Sequence, residues 1–245
     1  MKTIQIVDKN KSGMSIQINF KFDKSMMVTE ENILNSLNEA GTLATKEALA
    51  QYDTDGYPIK IGNQTFTTKG LFEKNYQTPY GETRVQRHVY QSNTGGKTFC
   101  PLEHNARIVV TSTPRFAKMV SSKYSFGSTE YVKKDFCDNH KRTINRKTLQ
   151  TISEAVGTVA LAKEISWDYQ PNLNNLGPIE TISFGLDGTC MQMRKDGWRE
   201  AMTGTISLYN GEGERIHTTY LAAPPEYGKS KFLEKSRKNE HVKKF

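Results

Sequence analysis

The sequence predicts an α+β protein: an N-terminal helix and a β-ribbon region, then a helical domain, then a β-rich C-terminal segment. Three observations lead there. Apolar residues recur at three- and four-residue spacing through residues 28–52 and 113–166, the period of a helix with one buried face. They alternate with polar residues in parts of 57–112 and again from residue 179, the period of a strand with one buried face. Glycine, proline and asparagine fall between these runs, where turns are needed.

Residues 1–27 are polar, with a strand expected around residues 16–22, where Ile16, Ile18, Phe20 and Phe22 alternate with polar neighbours. In the helix of residues 28–52, Ile33, Leu37, Ala40, Ala44 and Ala48 share a face. Thr29 ahead of Glu30 and Glu31 suits an N-cap with a favourable dipole. Residues 53–56, with Pro58 soon after, end it and close an N-terminal helical region, 1–56. The β-rich region, 57–112, holds a short hairpin around Gly62-Asn63 and a longer one turning at Thr94-Gly95-Gly96. Arg84, Arg87 and His88 ride on its first arm. That ribbon either lies on a phosphate backbone or presents a solvated face.

Residues 113–170 form the helical domain. Pro114 opens a helix reaching Tyr124, Gly127 breaks the chain, and Ser128 or Thr129 caps a second helix reaching about Asn139. After a polar link, a third helix runs from about Arg146 to Trp167, with Leu149, Ile152, Val156, Val159 and Ala160 on one face. Two helices joined by a tight polar turn resemble a helix-turn-helix, whose second helix enters the major groove N-terminus first. The charge agrees, since basic residues outnumber acids over residues 113–163. Lys133, Lys134, Lys141, Arg142, Arg146 and Lys147 are the candidate DNA-binding residues, placed where such motifs touch phosphates and bases. An ordinary helical hairpin with a basic corner has the same composition.

A loop containing Pro171 and Pro178 separates this domain from residues 179–245. A strand there has Ile179, Ile182, Phe184 and Leu186 as apolar members and Asp187-Gly188 at its far end. Two more strands follow, joined by Gly211-Glu212-Gly213, and a basic amphipathic helix begins after Gly228. Three antiparallel strands and a helix are how a ribonuclease-H-like α/β domain begins, here an incomplete one. An acid on the first strand of that fold helps hold two divalent metals roughly 3.5–4 Å apart for in-line phosphoryl displacement. The competing reading of Asp187-Gly188 is a plain turn.

The 245 residues suffice for one large or several small domains. A net charge of +8 and a pI near 9.2 favour polyanionic partners. No run of about 18 apolar residues is present, so no membrane partner is expected and the cytoplasm is the default location. Cys100, Cys137 and Cys190 are odd in number and far apart, as free buried thiols are. Cys137 and His140 have ligand spacing but no second pair.

The string GLDGTCMQMRKDGWREAMTGTISLYNGEGERIHTTYLAAPPEYGK resembles the start of the catalytic domain in ISKra-type insertion-sequence transposases. PYGETRVQRHVYQSNTGGKTFCPLE, STPRFAKMVSSKYS and ISEAVG resemble upstream parts of the same family. The likeness is clearest over residues 76–230 and weakens over the first 50. It implies a DDE transposase with Asp187 as its first catalytic, Mg²⁺-binding acid. The second aspartate and the glutamate would lie beyond Phe245. On that expectation the chain is the N-terminal part of a transposase that binds DNA at the element ends and is inactive in catalysis alone. Alternatively it is a stand-alone DNA-binding regulator or inhibitor, meeting full-length transposase or forming homo-oligomers. A half-covered sheet makes residues 179–245 the expected least stable part.

Overall fold

The computed structural model describes residues 4–10, 12–166, 176–193 and 197–223. The protein is mixed α+β with small antiparallel sheets. It divides into two units, Met1–Ile165 and Ser166–Phe245.

The first unit opens with a hairpin of β1 (Ile4–Lys9) and β2 (Met14–Ile18). The strand expected over residues 16–22 therefore ends at Ile18 and pairs with a strand the sequence reading missed. Helix α1 (Met26–Ala50) starts earlier than Thr29 suggested. Ser25 is the N-cap residue and its carbonyl accepts from Thr29 N–H at 3.0 Å. Thr29 is thus inside the first turn and buried, its hydroxyl accepting from the Asp23 N–H at 2.9 Å.

Strands β3 (Ile59–Ile61), β4 (Gln64–Gln77) and β5 (Glu82–Ser92) form one sheet. The β3–β4 turn is at Gly62-Asn63, as expected, with Gly62 at a left-handed φ of 58°. The long hairpin is not where it was expected. It pairs β4 with β5 through a turn at residues 78–81, while Phe99 makes only an isolated bridge to Tyr90. Gly95 and Gly96 turn the chain into α2 (Pro101–Asn105) rather than into a return strand. Leu49, Tyr76, Val85 and Leu102 pack together beneath the ribbon.

Helices α3 (Pro114–Tyr124), α4 (Thr129–His140) and α5 (Arg146–Ser166) lie close to their expected bounds. Pro114 sits in the first turn of α3, and the Ser128 hydroxyl caps α4 by accepting from Tyr131 N–H. Phe116, Val120, Val132, Phe136, Leu149 and Ile152 are completely buried at their centre. Val156 packs against them, but Val159 is 56% exposed, so only the first half of α5 uses its apolar stripe here.

The second unit contains β6 (Thr181–Met193), β7 (Gly197–Tyr209) and β8 (Arg215–Ala223), antiparallel in that order. The β7–β8 turn uses Asn210, whose side-chain oxygen accepts from Glu212 N–H and Glu214 N–H, with Gly213 at φ 79°. Met202, Ile206 and Leu221 form its small core, and β6 is an exposed edge strand. The loop at Pro171 and the basic segment after Gly228 lie outside the described residues.

Candidate nucleic-acid interface

The geometry of the basic corner begins at the end of α4. Lys141 occupies the left-handed region (φ 52°, ψ 39°), and Arg142 N–H reaches back to Phe136 O at 2.9 Å. Lys141 N–H donates to Cys137 O at 3.2 Å, the single bond of a left-handed helix cap, with lysine where glycine is usual. The cap swings the chain inward, and that settles the role of Arg142. Its guanidinium is buried, donates to Thr78 O and to Gln77 Oε1, and lies 5.3 Å from the Phe116 ring centre. Burial pushes its pKa down. Arg142 is therefore corrected from a candidate DNA contact to an internal fastener, because its donors are turned to the β4–β5 turn.

The other candidates separate by partner. Lys133 pairs with Glu130 and Lys134 with Asp138, both at 2.9 Å along α4. Lys141 Nζ is 2.7 Å from Glu31 of α1. Arg146 and Lys147 are exposed with no ion-pair partner among the described residues, as are Arg115 and Lys118 on α3. Asn145 caps α5 by accepting from Thr148 N–H at 2.8 Å, so Arg146 and Lys147 occupy the first turn with no acid beside them. Cations at the positive end of a helix dipole are unfavourably placed unless an anion joins them.

The ribbon is a different matter. Each of the three basic side chains expected on it meets an acid: Arg84 with Glu73 at 3.3 Å, Arg87 Nε 3.3 Å from Glu103, and His88 Nδ1 3.0 Å from Asp53. Glu103 also accepts from Lys74 Nζ and Tyr76 Oη, each at 2.8 Å. Burial works against its charge, yet those hydrogen bonds prevail and hold its pKa below the usual value. Burial, then the Glu103 hydrogen bond, push Tyr76 far up. Arg87 and Lys74 tie the ribbon to Glu103 of α2 and His88 ties it to Asp53, whereas the exposed Arg84–Glu73 pair stays within the ribbon.

In the second unit Asp187 lies within β6, opposite Thr203, instead of at a strand end. Pairing continues unbroken to Met193, so the turn reading of Asp187-Gly188 fails and the pair sits mid-strand. Its carboxylate accepts from Gly188 N–H at 2.8 Å. A groove of about 460 Å³ runs past it, lined also by Thr203, Thr205 and Tyr220. The pleat sends alternate residues to opposite faces. Glu200, opposite Cys190, therefore belongs to the face of Leu186 and Met202 and not to that of Asp187. Magnesium requires an octahedral set of hard oxygens. Among the described residues no three His, Cys, Asp or Glu side chains converge, so these residues do not fit a two-metal cage.

Cys137 and Cys190 are exposed rather than buried, and Cys100 is half-buried with its thiol pKa raised by burial. Trp167, the expected end of the third helix, lies outside the described residues. Among the described residues no helix is long and apolar enough to cross a membrane. The sequence reading missed Tyr80, whose only signal was its place before Gly81 in an unrecognised turn. The chain matches no protein-family model and no curated protein.

Proposed function

We propose that this chain binds duplex DNA through the α4–α5 corner, as the DNA-binding part of an insertion-sequence transposase recognising element ends. The reading is helix-turn-helix-like, with α5 entering the major groove by its N-terminus. The observation that carries it is the pair Arg146 and Lys147, exposed and without an ion-pair partner among the described residues at the capped, positive end of α5. A phosphate there would meet the two cations and the helix dipole together. The test is DNA affinity measured by fluorescence anisotropy at rising salt, for the wild type and Arg146→Gln/Lys147→Gln. Each phosphate contact removed should flatten the slope of log affinity against log salt by about 0.9. No binding at low salt, or an unchanged slope, overturns it.

On the same reading the second unit is a ribonuclease-H-like beginning, with Asp187 as its first acid. The absence of a carboxylate partner for Asp187 among the described residues favours a second reading, a DNA-binding regulator without catalytic activity. Incubating the chain with Mg²⁺ and element-end duplexes should then give no cleavage, and Asp187→Asn should bind DNA as the wild type does. Mg²⁺-dependent nicking lost in Asp187→Asn would reject the regulator reading.

A further inference from the structure

The first unit carries a groove of about 530 Å³ between α1 and the β4–β5 turn. Its lining includes Asn35, Asn38, Glu39 and Lys46 from α1, Tyr80 from the turn, and Lys141 from the α4 cap. We propose that this groove receives an unpaired DNA strand beside the duplex held by α5, with a base stacked on Tyr80 and phosphates at Lys46 and Lys141. The proposal rests on the DNA-binding reading above.

Tyr80 is held in place from several sides while 46% of it stays exposed. Beneath it, the buried Thr78 hydroxyl accepts from Tyr80 N–H at 3.2 Å and Gly81 N–H at 3.0 Å, and donates to Gly81 O at 2.7 Å. Arg142 grips Thr78 O from the interior. Two glycines permit the approach to α1. A Cβ on Gly41 would fall on the Tyr80 ring, and one on Gly81 would strike Thr42 Oγ1. With its backbone fixed by the turn and one ring face against Gly41, Tyr80 offers an exposed aromatic platform with little left to order on stacking.

The surroundings select the ligand. A stacked duplex offers no free base face to an aromatic ring, whereas single strands bind by stacking on aromatics along a basic groove. The volume is of the size that encloses a small ligand such as one nucleotide. Lys46 is exposed with no acid partner among the described residues. Asn35 supplies an amide suited to a base edge, Asn38 keeps its carbonyl oxygen for one while its Nδ2 donates to His140 O at 3.1 Å, and Glu39 is an acceptor for an exocyclic amine. Glu39 and the Glu31 partner of Lys141 temper the charge, which suits a short strand rather than a long polyanion. Lys141 also leads directly into the link before α5, placing the groove beside the proposed duplex contact.

The experiment compares the full chain on a blunt duplex, on the same duplex with a short single-stranded tail, and on an oligothymidine strand. Variants are Tyr80→Leu, Tyr80→Phe, Lys46→Glu and Arg146→Gln/Lys147→Gln, each checked for folding by circular dichroism. The wild type should prefer the tailed duplex, and Tyr80→Leu should lose about 5- to 100-fold on the tail, the worth of one stacked base. Tyr80→Phe should keep the preference. Lys46→Glu, an exposed change with little bearing on folding, should weaken tail binding while sparing the blunt duplex. Arg146→Gln/Lys147→Gln should weaken the blunt duplex and spare oligothymidine. Equal affinity for tailed and blunt duplexes, or a tail preference that survives Tyr80→Leu and Lys46→Glu, overturns the proposal. If blunt duplex is not bound but oligothymidine is bound through Tyr80, the α5 reading fails and the groove stands.

Discussion

Replacing Arg142 by methionine separates a structural arginine from a DNA-contacting one. The guanidinium makes charge-assisted bonds to Thr78 O and Gln77 Oε1 from a site only 7% exposed. Such bonds contribute about 1.5–3 kcal/mol each, and their loss would leave the Thr78 carbonyl without this donor. Against this stands the desolvation of a cation with no carboxylate in contact among the described residues, which methionine avoids while still packing on Phe116. The net expected loss is about 2–4 kcal/mol. With a urea dependence of about 2 kcal/mol per molar, the midpoint should fall by roughly 1–2 M. Chemical denaturation followed by circular dichroism measures it. At low temperature, where the variant stays folded, its DNA affinity should keep the wild-type salt slope. A variant as stable as the wild type would refute the structural account, and a flattened salt slope would restore Arg142 as a phosphate contact.

The opposite pattern is expected for Arg146→Glu/Lys147→Glu. Acids in the first turn of α5 complement its dipole, so the urea midpoint should rise by the equivalent of about 0.5–1 kcal/mol while anisotropy shows DNA binding lost. Val110→Asn should also stabilise, because Val110 is β-branched, 46% exposed and held at φ 60°. Asparagine tolerates that region, and a gain of about 1 kcal/mol in thermal or urea unfolding is expected. Glu103→Gln addresses acid sensitivity. Glu103 titrates below its ordinary 4.5 in the folded chain. Its contribution is present above pH 4.5 and disappears as pH falls through the folded value. Urea midpoints should therefore fall less steeply below pH 4.5 in the variant than in the wild type.

The helical bundle was legible because its signals are local. Pro114, Ser128 and the spacing of Leu149, Ile152 and Val156 need no partner to act. The β ribbon was less legible, because the turn that closes it depends on non-local contacts. Thr94-Gly95-Gly96 gave the turn signal that spacing shows, but Thr78 and Gly81, unrecognised in the sequence, closed the hairpin through a buried hydroxyl and a glycine approach to α1. The candidate site failed in sequence at Arg142 for a similar reason. Charge patterning locates a basic cluster but cannot tell which member the α4 cap turns inward. At Asp187 an Asp-Gly pair read as a turn lost to an uninterrupted ladder with β7, a non-local contest that spacing does not decide.

The fastening of the β4–β5 turn to the helices bears on transplantation. Gln77 N–H donates to Thr111 O at 2.7 Å, Thr113 N–H donates to Gln77 O at 2.9 Å, and Arg142 closes the same junction. A chain cut ahead of Thr113 would keep all three helices yet strand Arg142 without its acceptors. Helices α3 to α5 are consequently not a portable cassette, and moving them to another host would require the ribbon's tip to travel with them.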